Sequence, residues 1–419
     1  MTKRAATKPV MRFVTFTCLV SLTATAADIT LEGEVVRSAS RSLLSLNIPG
    51  GFDFLEDGSL IFIGPNEDLP PLVGGQKSPA LFRRPRRGAL QQLMASASNF
   101  TVAPDGRTVI VPEGKTSPFT RITVDPLERV PIAQGQASLD FWHRLMLSKT
   151  MLIFDANDGI HVAKLSGGPS KLLSAVSPSK GEQTTLSLHQ LSHDGDWLLY
   201  QRRWNRYNTA LFEAVRFDGT DQRTLGFETA MLVGSMAIGM TDSRNIRTQV
   251  VDLVTGQTWT LDPEPAQSLS NAKPAGSDAV LMPLTGGLTW FDLRTRNSKV
   301  LVPGDKESRM QFDVSVDGAR VVTSVHQRGT CRVVSTDVAS MKSTQLLVAR
   351  GVELCLVKLL ENGSTVVLAE RRDQVVIATI EPKTLVVTNH VVLNSSGGAI
   401  VARGNSWGVQ TKEAVYLEP

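Results

Sequence analysis

The residues in this chain whose types invite chemistry are few and widely spread. Its six histidines are His143, His161, His189, His193, His326 and His390. No two make a helical His-x-x-x-His pair, and none neighbours a glutamate at a metal-ligand spacing, so no metal site is expected. His189 and His193 are four apart on a predicted strand, but His193 falls at its turn. Asp155-Ala156-Asn157-Asp158-Gly159 has the flavour of a calcium loop, yet it is one residue short before its glycine and lacks the later glutamate. An ordinary Asn-Asp-Gly hairpin turn is expected there. Gly114-Lys115-Thr116 ends like a phosphate loop, but Val109 stands where the first glycine is required, and no helix follows. No cofactor is expected.

What must position any such residue is a repeated hairpin. FDFLEDGSLIFIG starts at Phe52, FTVAPDGRTVIVP at Phe100, HQLSHDGDWLLYQ at His189 and FDVSVDGARVVTS at Phe312. VKLLENGSTVVLA from Val357 is a worn copy. The turn residues Asp57, Asp105, Asp194, Asp317 and Asn362 are separated by 48, 89, 123 and 45 positions. Those gaps fit one, two, three and one copies of a unit about 40–50 residues long, the size of a four-stranded propeller blade. The long gaps contain units without the Asp-Gly, from Met151, Arg247 and Ala279. Asp-Gly is a turn device, because Asp bonds its own backbone and Gly accepts positive φ, so these aspartates are structural. The expected fold is all-β, a single propeller. Eight blades are the best count, with seven and nine open. The ring would be closed by an outer N-terminal strand and by two C-terminal strands, b and c.

The strands of a blade are lettered a to d from the axis outwards. The Asp-Gly turns mark the rim of the a–b and c–d turns. The opposite rim, of b–c and d–a loops, is where a ligand site is expected. Its b–c loops carry Arg202, Arg203, Trp204, Arg206 and Tyr207, then Arg328, then Arg371 and Arg372, then Trp407 beside Arg403 and Asn405. Arginine beside aromatic side chains is the composition of binding hot spots, and its fork suits carboxylates and phosphates. Arg83-Arg84-Pro85-Arg86-Arg87 falls on the other rim and is expected to be a solvated turn.

The first 26 residues read as an export signal. Lys3, Arg4, Lys8 and Arg12 precede the apolar run FVTFTCLVSL, and Ala24-Thr25-Ala26 offers a cleavage site. The run is too short to span a bilayer. Residues 27–419 would then be the propeller domain, in the periplasm or outside the cell. The chain has 44 basic and 40 acidic residues, and the signal removes four basic ones, so the mature chain is neutral. That balance argues against nucleic-acid binding. Cys331 and Cys355 are expected on a c strand and the next a strand, which a regular propeller keeps apart, as two buried thiols.

The units resemble the WD40-like periplasmic repeat of the TolB family and the propellers of prolyl oligopeptidases. The shared pattern is an apolar strand, an Asp-Gly turn, an aromatic-rich strand, and a third strand ending near Asp and Gly, as in Val251-Asp252-Leu253-Val254-Thr255-Gly256. The resemblance spans about residues 50–395. It implies the fold and leaves function open, since this repeat serves many roles. Neither TolB's additional α/β domain nor the hydrolase domain and G-x-S-x-G elbow of the oligopeptidases is expected here. The leading expectation is an exported, monomeric binding or scaffolding module for a protein, peptide or envelope component, without a membrane span. The alternative is a propeller enzyme, a hydrolase, lactonase or lyase, with His189, His326, Asp155 and Arg202 as first candidates.

Overall fold

The computed structural model describes residues 29–32, 44–46, 51–66, 78–112, 119–133, 145–156, 158–176, 184–192, 194–204, 209–241, 247–262, 269–372, 374–385, 387–395, 397–412 and 414–417. The signal sequence, Gly114-Lys115-Thr116, His143, His193, Arg206 and Tyr207 lie outside them.

Among the described residues there are nine antiparallel sheets and only one turn of 3-10 helix. They form a β-propeller of nine blades, the upper of the counts that the repeat left open and one beyond the usual range. Blades 1 to 8 run in chain order over 52–94, 101–132, 145–175, 184–224, 229–260, 273–303, 309–350 and 354–394. Blade 9 is composite. The C-terminal strands Ala399–Arg403, Ser406–Gln410 and Val415–Leu417 are its a, b and c, and Leu44–Leu46 is its d. The tail therefore supplies three strands where two were expected. A two-residue Gly404-Asn405 turn makes the first of them too compact to stand out.

Each sheet alternates its side chains between two faces, and both faces are covered by neighbours. Nine apolar clusters fill the nine contacts between successive blades. Ile61, Leu81, Val109 and Ile122, for example, join blades 1 and 2. The last contact joins Val415 and Leu417 of blade 9 to Phe52, Phe54 and Leu60 of blade 1, which closes the ring. Trp407 is 1% exposed and packs with Val366, Leu368 and Val375 of blade 8. Its expected place on a binding rim is thus corrected: it sits on strand b, past an a–b turn, and is core.

An unforeseen strand, Thr30–Glu32, pairs with Lys342–Arg350 and makes blade 7 five-stranded. Ile29 just before it is buried with Cys331 and Cys355 between blades 7 and 8.

The turn aspartates do what their chemistry suggests. Asp57 Oδ1 accepts from Ser59 N at 2.8 Å, and Asp105 Oδ1 accepts from Arg107 N and Thr108 N at 2.9 Å each. The Ser315 hydroxyl and Ala319 amide hold Asp317 below the usual carboxylate range, and the Ser340 hydroxyl and amide do the same for Asp337. Burial pushes Asp105 up, but the Thr108 hydroxyl and the Arg107 and Thr108 amides outweigh it.

Trp407→Ala should cost about 3–5 kcal/mol in denaturant unfolding, since it empties a closed contact between blades. A loss below about 1 kcal/mol would place the ring outside the core. A carboxyl depressed by folding stabilises the protein above its unfolded value and loses that contribution as pH falls through the folded value. With an ordinary value of 3.8 for these aspartates, the melting temperature should hold from neutrality to about pH 5 and drop below about pH 4. A flat profile in acid contradicts the turn bonds.

Candidate functional site

The described part of the loop-rich rim is most completely built at blades 7 and 8. In blade 7, strands Arg320–Gln327 and Thr330–Asp337 are joined by a two-residue turn, with Gln327 paired to Thr330. Arg328 and Gly329 both take positive φ, 49° and 73°. Such a pair matches the twist of a tight hairpin. In blade 8, Arg371 pairs with Gln374 across an equivalent turn, where Arg372 has φ 51°. Left-handed non-glycine residues also occur at Arg296, Met341 and Leu385 in c–d turns. What distinguishes Arg328 and Arg372 is their matching place on adjacent blades, both exposed at the expected rim.

The d–a loop between these blades is tied to both turns. Gly351 N and Val352 N donate to Gly329 O at 2.8 and 3.1 Å, and His326 Nε2 lies 2.8 Å from Val352 O. Glu353 N donates to Glu370 O at 2.7 Å, and Gly397 N donates to the Glu370 carboxylate. Ile29 N donates to Gln374 Oε1 at 3.1 Å. Cys331 and Cys355 form a disulfide across this seam, with Cα atoms 6.3 Å apart. The expectation of two separate thiols is corrected. Strand c begins and strand a begins at the same rim, so a cysteine near each start meets the other where the d–a loop folds onto the b–c turn.

Charge at this rim is mixed but rich in arginine. Arg328 is 80% exposed and pairs with Glu307 at 2.9 Å. Gln327 Nε2 donates to Asp305 Oδ2 at 2.5 Å. Arg309, Arg332, Arg350 and Arg372 are exposed, and Arg371 is half-buried. An exposed pair such as Arg328–Glu307 contributes little to stability, so it can open to admit another carboxylate.

The other expected site residues part company. Arg203 is exposed and Trp204 half-buried at the end of strand b of blade 4. Arg202 is buried. Its Nε and Nη2 donate to Glu213 Oε1 and Oε2 at 2.9 and 3.1 Å, inside a network with Tyr200 and Gln222. Burial and then the Glu213 hydrogen bond push the Tyr200 phenol far above its usual value. Burial would raise Glu213 too, but the bonds from Arg202 and Tyr200 bring it below the ordinary range. This is a fastener within the sheet, and Arg202 is corrected from rim ligand to buried ion pair. A buried pair of this kind is destabilising to break.

Arg83 is likewise no solvated turn. It is buried and bridges Asp57, at 2.5 Å, and Asp125 of the next blade, at 3.0 Å. His189 is exposed and packs edge-on against Phe212, with centroids 4.8 Å apart, while Asp155 is buried. Among the described residues, no three His, Cys, Asp or Glu side chains gather as a metal site. The G-x-S-x-G string does occur, as Gly404-Asn405-Ser406-Trp407-Gly408. It forms a strand-turn-strand hairpin in blade 9, and Ser406 Oγ accepts from Arg86 Nη2 at 3.0 Å. A nucleophile elbow needs a strand, a turn and a helix, so this is not one.

No family model matches the chain, and no curated protein matches it. Solved structures do. Dipeptidyl peptidase 4 of Porphyromonas gingivalis aligns over 90% of this chain and 64% of its own, with TM-score 0.56 and 11% identity. A candidate dipeptidyl aminopeptidase IV of Bacteroides ovatus aligns over 90% and 66%, with TM-score 0.51 and 10% identity. A eukaryotic initiation factor aligns over 90% and 92%, with TM-score 0.56 and 11% identity. The chain thus spans slightly less than two thirds of the two peptidases. Such identities show the propeller fold and nothing finer, and peptidases share that likeness with an initiation factor.

The disulfide closes a loop across 24 positions, so its loss should cost about 3 kcal/mol. Equilibrium unfolding of Cys331→Ser against the oxidised protein measures this. Equal midpoints would mean that the bond does not hold the rim.

Proposed function

We propose that this chain is an exported binding propeller whose loop-rich rim at blades 7 and 8 engages an acidic protein or peptide. The observation that carries the reading is the pair of exposed arginines, Arg328 and Arg372, held at matching left-handed positions of the b–c hairpins of two adjacent blades, which the disulfide joins through strand c of blade 7 and strand a of blade 8. Glycine or asparagine fits such a position with less strain, so arginine there favours charge display over local stability. Guanidinium forks on a rigid scaffold suit carboxylates, and little ordering is lost on binding. Export is supported by the basic and apolar N-terminal stretch and by the disulfide, which belongs to an oxidising compartment. A mature chain starting at Ala27 would place its second residue next to Ile29, which is already core. No helix among the described residues is long and apolar enough to cross a membrane.

A second reading rests on the likeness to dipeptidyl peptidase 4. In it, the propeller handles peptides as part of a hydrolytic system, with a site drawn from several blades. Release of chromophore from a dipeptidyl substrate by the purified chain would favour this reading over binding alone.

The rim reading is tested with a fluorescein-labelled glutamate-rich peptide, followed by anisotropy. Arg328→Gly and Arg372→Gly should each weaken binding about tenfold, with binding falling as salt rises. Their melting temperatures should stay level or rise, because glycine relieves roughly 1 kcal/mol of left-handed strain. Unchanged affinity in the double variant would rule the rim out.

A further inference from the structure

A second charged feature lies on the inner strands, towards the Asp-Gly side and away from the rim of blades 7 and 8. The a–b turns of blades 1, 6, 7 and 8 are closed by the same kind of backbone bond, donated by Leu55, Ala275, Ser315 and Leu360. Two residues before these stand Asp53, Lys273, Asp313 and Lys358. The positions are equivalent, so these side chains sit at one level around the axis. Strand a is innermost in a propeller and borders its central channel.

Asp313 is the centre of the group, with its side chain 8% exposed. Its Oδ1 accepts from Lys273 Nζ at 3.0 Å, and its Oδ2 accepts from Leu359 N at 3.0 Å and pairs with Lys358 Nζ at 3.1 Å. Lys273 Nζ also donates to Phe312 O at 2.7 Å. One carboxylate therefore stands between two ammonium groups, and it cannot neutralise both. Asp53 offers no relief, because Arg403 of blade 9 holds it at 2.8 Å. The five charges along this arc leave one positive in excess.

Both lysines keep water contact, at 42% and 35% side-chain exposure. An ammonium has three donors. Lys273 has two engaged, and Lys358 one, among the described residues. Their heads are fixed on the two oxygens of a single buried carboxylate, so the open donors are neighbours with a set spacing. Burial would raise Asp313, but the charges of Lys273 and Lys358 outweigh it, so it stays ionised and keeps both lysines in place.

We propose that Lys273 and Lys358, held across Asp313, form a binding site for a small dianion at the inner ring of blades 6 to 8. The ligand chemistry is two anionic oxygens that bridge two ammonium groups, as in a phosphate or a dicarboxylate. The site is separate from the rim described above and does not rest on it.

Isothermal titration of the full chain with inorganic phosphate and, separately, with succinate tests this at low ionic strength. Saturable binding with a Kd of about 1 mM or tighter is expected for one of them. Phosphate alone would point to a phosphate ester, and succinate alone to a dicarboxylate. Lys273→Met and Lys358→Met keep the side-chain stem and should each weaken binding about tenfold or more. Lys358→Arg should retain it, and Asp313→Asn, which removes the carboxylate that fixes both ammonium groups, should weaken it. Arg129→Gln, on an exposed outer strand of blade 2, should leave it unchanged. No saturable binding of either probe to the wild-type chain, or equal binding in both methionine variants, overturns the proposal.

Discussion

Everything in this molecule depends on one constraint: every sheet must cover both of its faces with another sheet. Nine sheets satisfy it only as a closed ring, and nine apolar clusters mark the nine contacts. The weakest link by chain connectivity is blade 9, whose outer strand Leu44–Leu46 is far in sequence from its partner Val415–Leu417. Joining the two ends of the chain in one sheet removes the exposed edges that an open arc would leave. Polar fasteners follow the same framework. Arg202–Glu213, Arg83 with Asp57 and Asp125, and Arg403–Asp53 all lie where strands meet. They add direction to contacts that apolar packing alone leaves free to slide.

This division explains what could be anticipated from the residues. The hairpins were plain, because Asp-Gly turns and alternating apolar strands are local signals. The blades lacking Asp-Gly still showed their later strands. Strand Thr30–Glu32 was not visible, since three residues carry no period and its partner, Lys342–Arg350, is more than 300 positions away. The burial of Trp407 was missed because a compact first strand in blade 9 shifted the lettering by one. Cys331 and Cys355 do lie on a c strand and the next a strand, but their bond depends on the d–a loop folding onto the b–c turn, which no local pattern carries. Arg202 was misjudged because its partner Glu213 lies on the adjacent strand, and an arginine in a polar run looks the same whether paired or free.

The two rims end up chemically different. On the Asp-Gly side, most aspartates accept bonds from nearby amides and hydroxyls, which closes the turns. On the loop side, the seam between blades 7 and 8 is held by backbone bonds, by the His326 and Gln374 side chains and by a disulfide, and the Glu370 side chain ties blade 8 to Gly397, so closure does not rest on Arg328 or Arg372. A scaffold held by its backbone leaves side chains available for recognition. The likeness to peptidase and initiation-factor propellers fits a frame on which different tasks are mounted.

The central claim is that recognition takes place at the rim of blades 7 and 8. Hydrogen–deuterium exchange of the full chain, with and without a glutamate-rich peptide, addresses it directly. The account predicts added protection confined to residues 326–331, 351–355 and 371–374. Protection at the Asp-Gly turns instead, or none at all under saturating peptide, would contradict it.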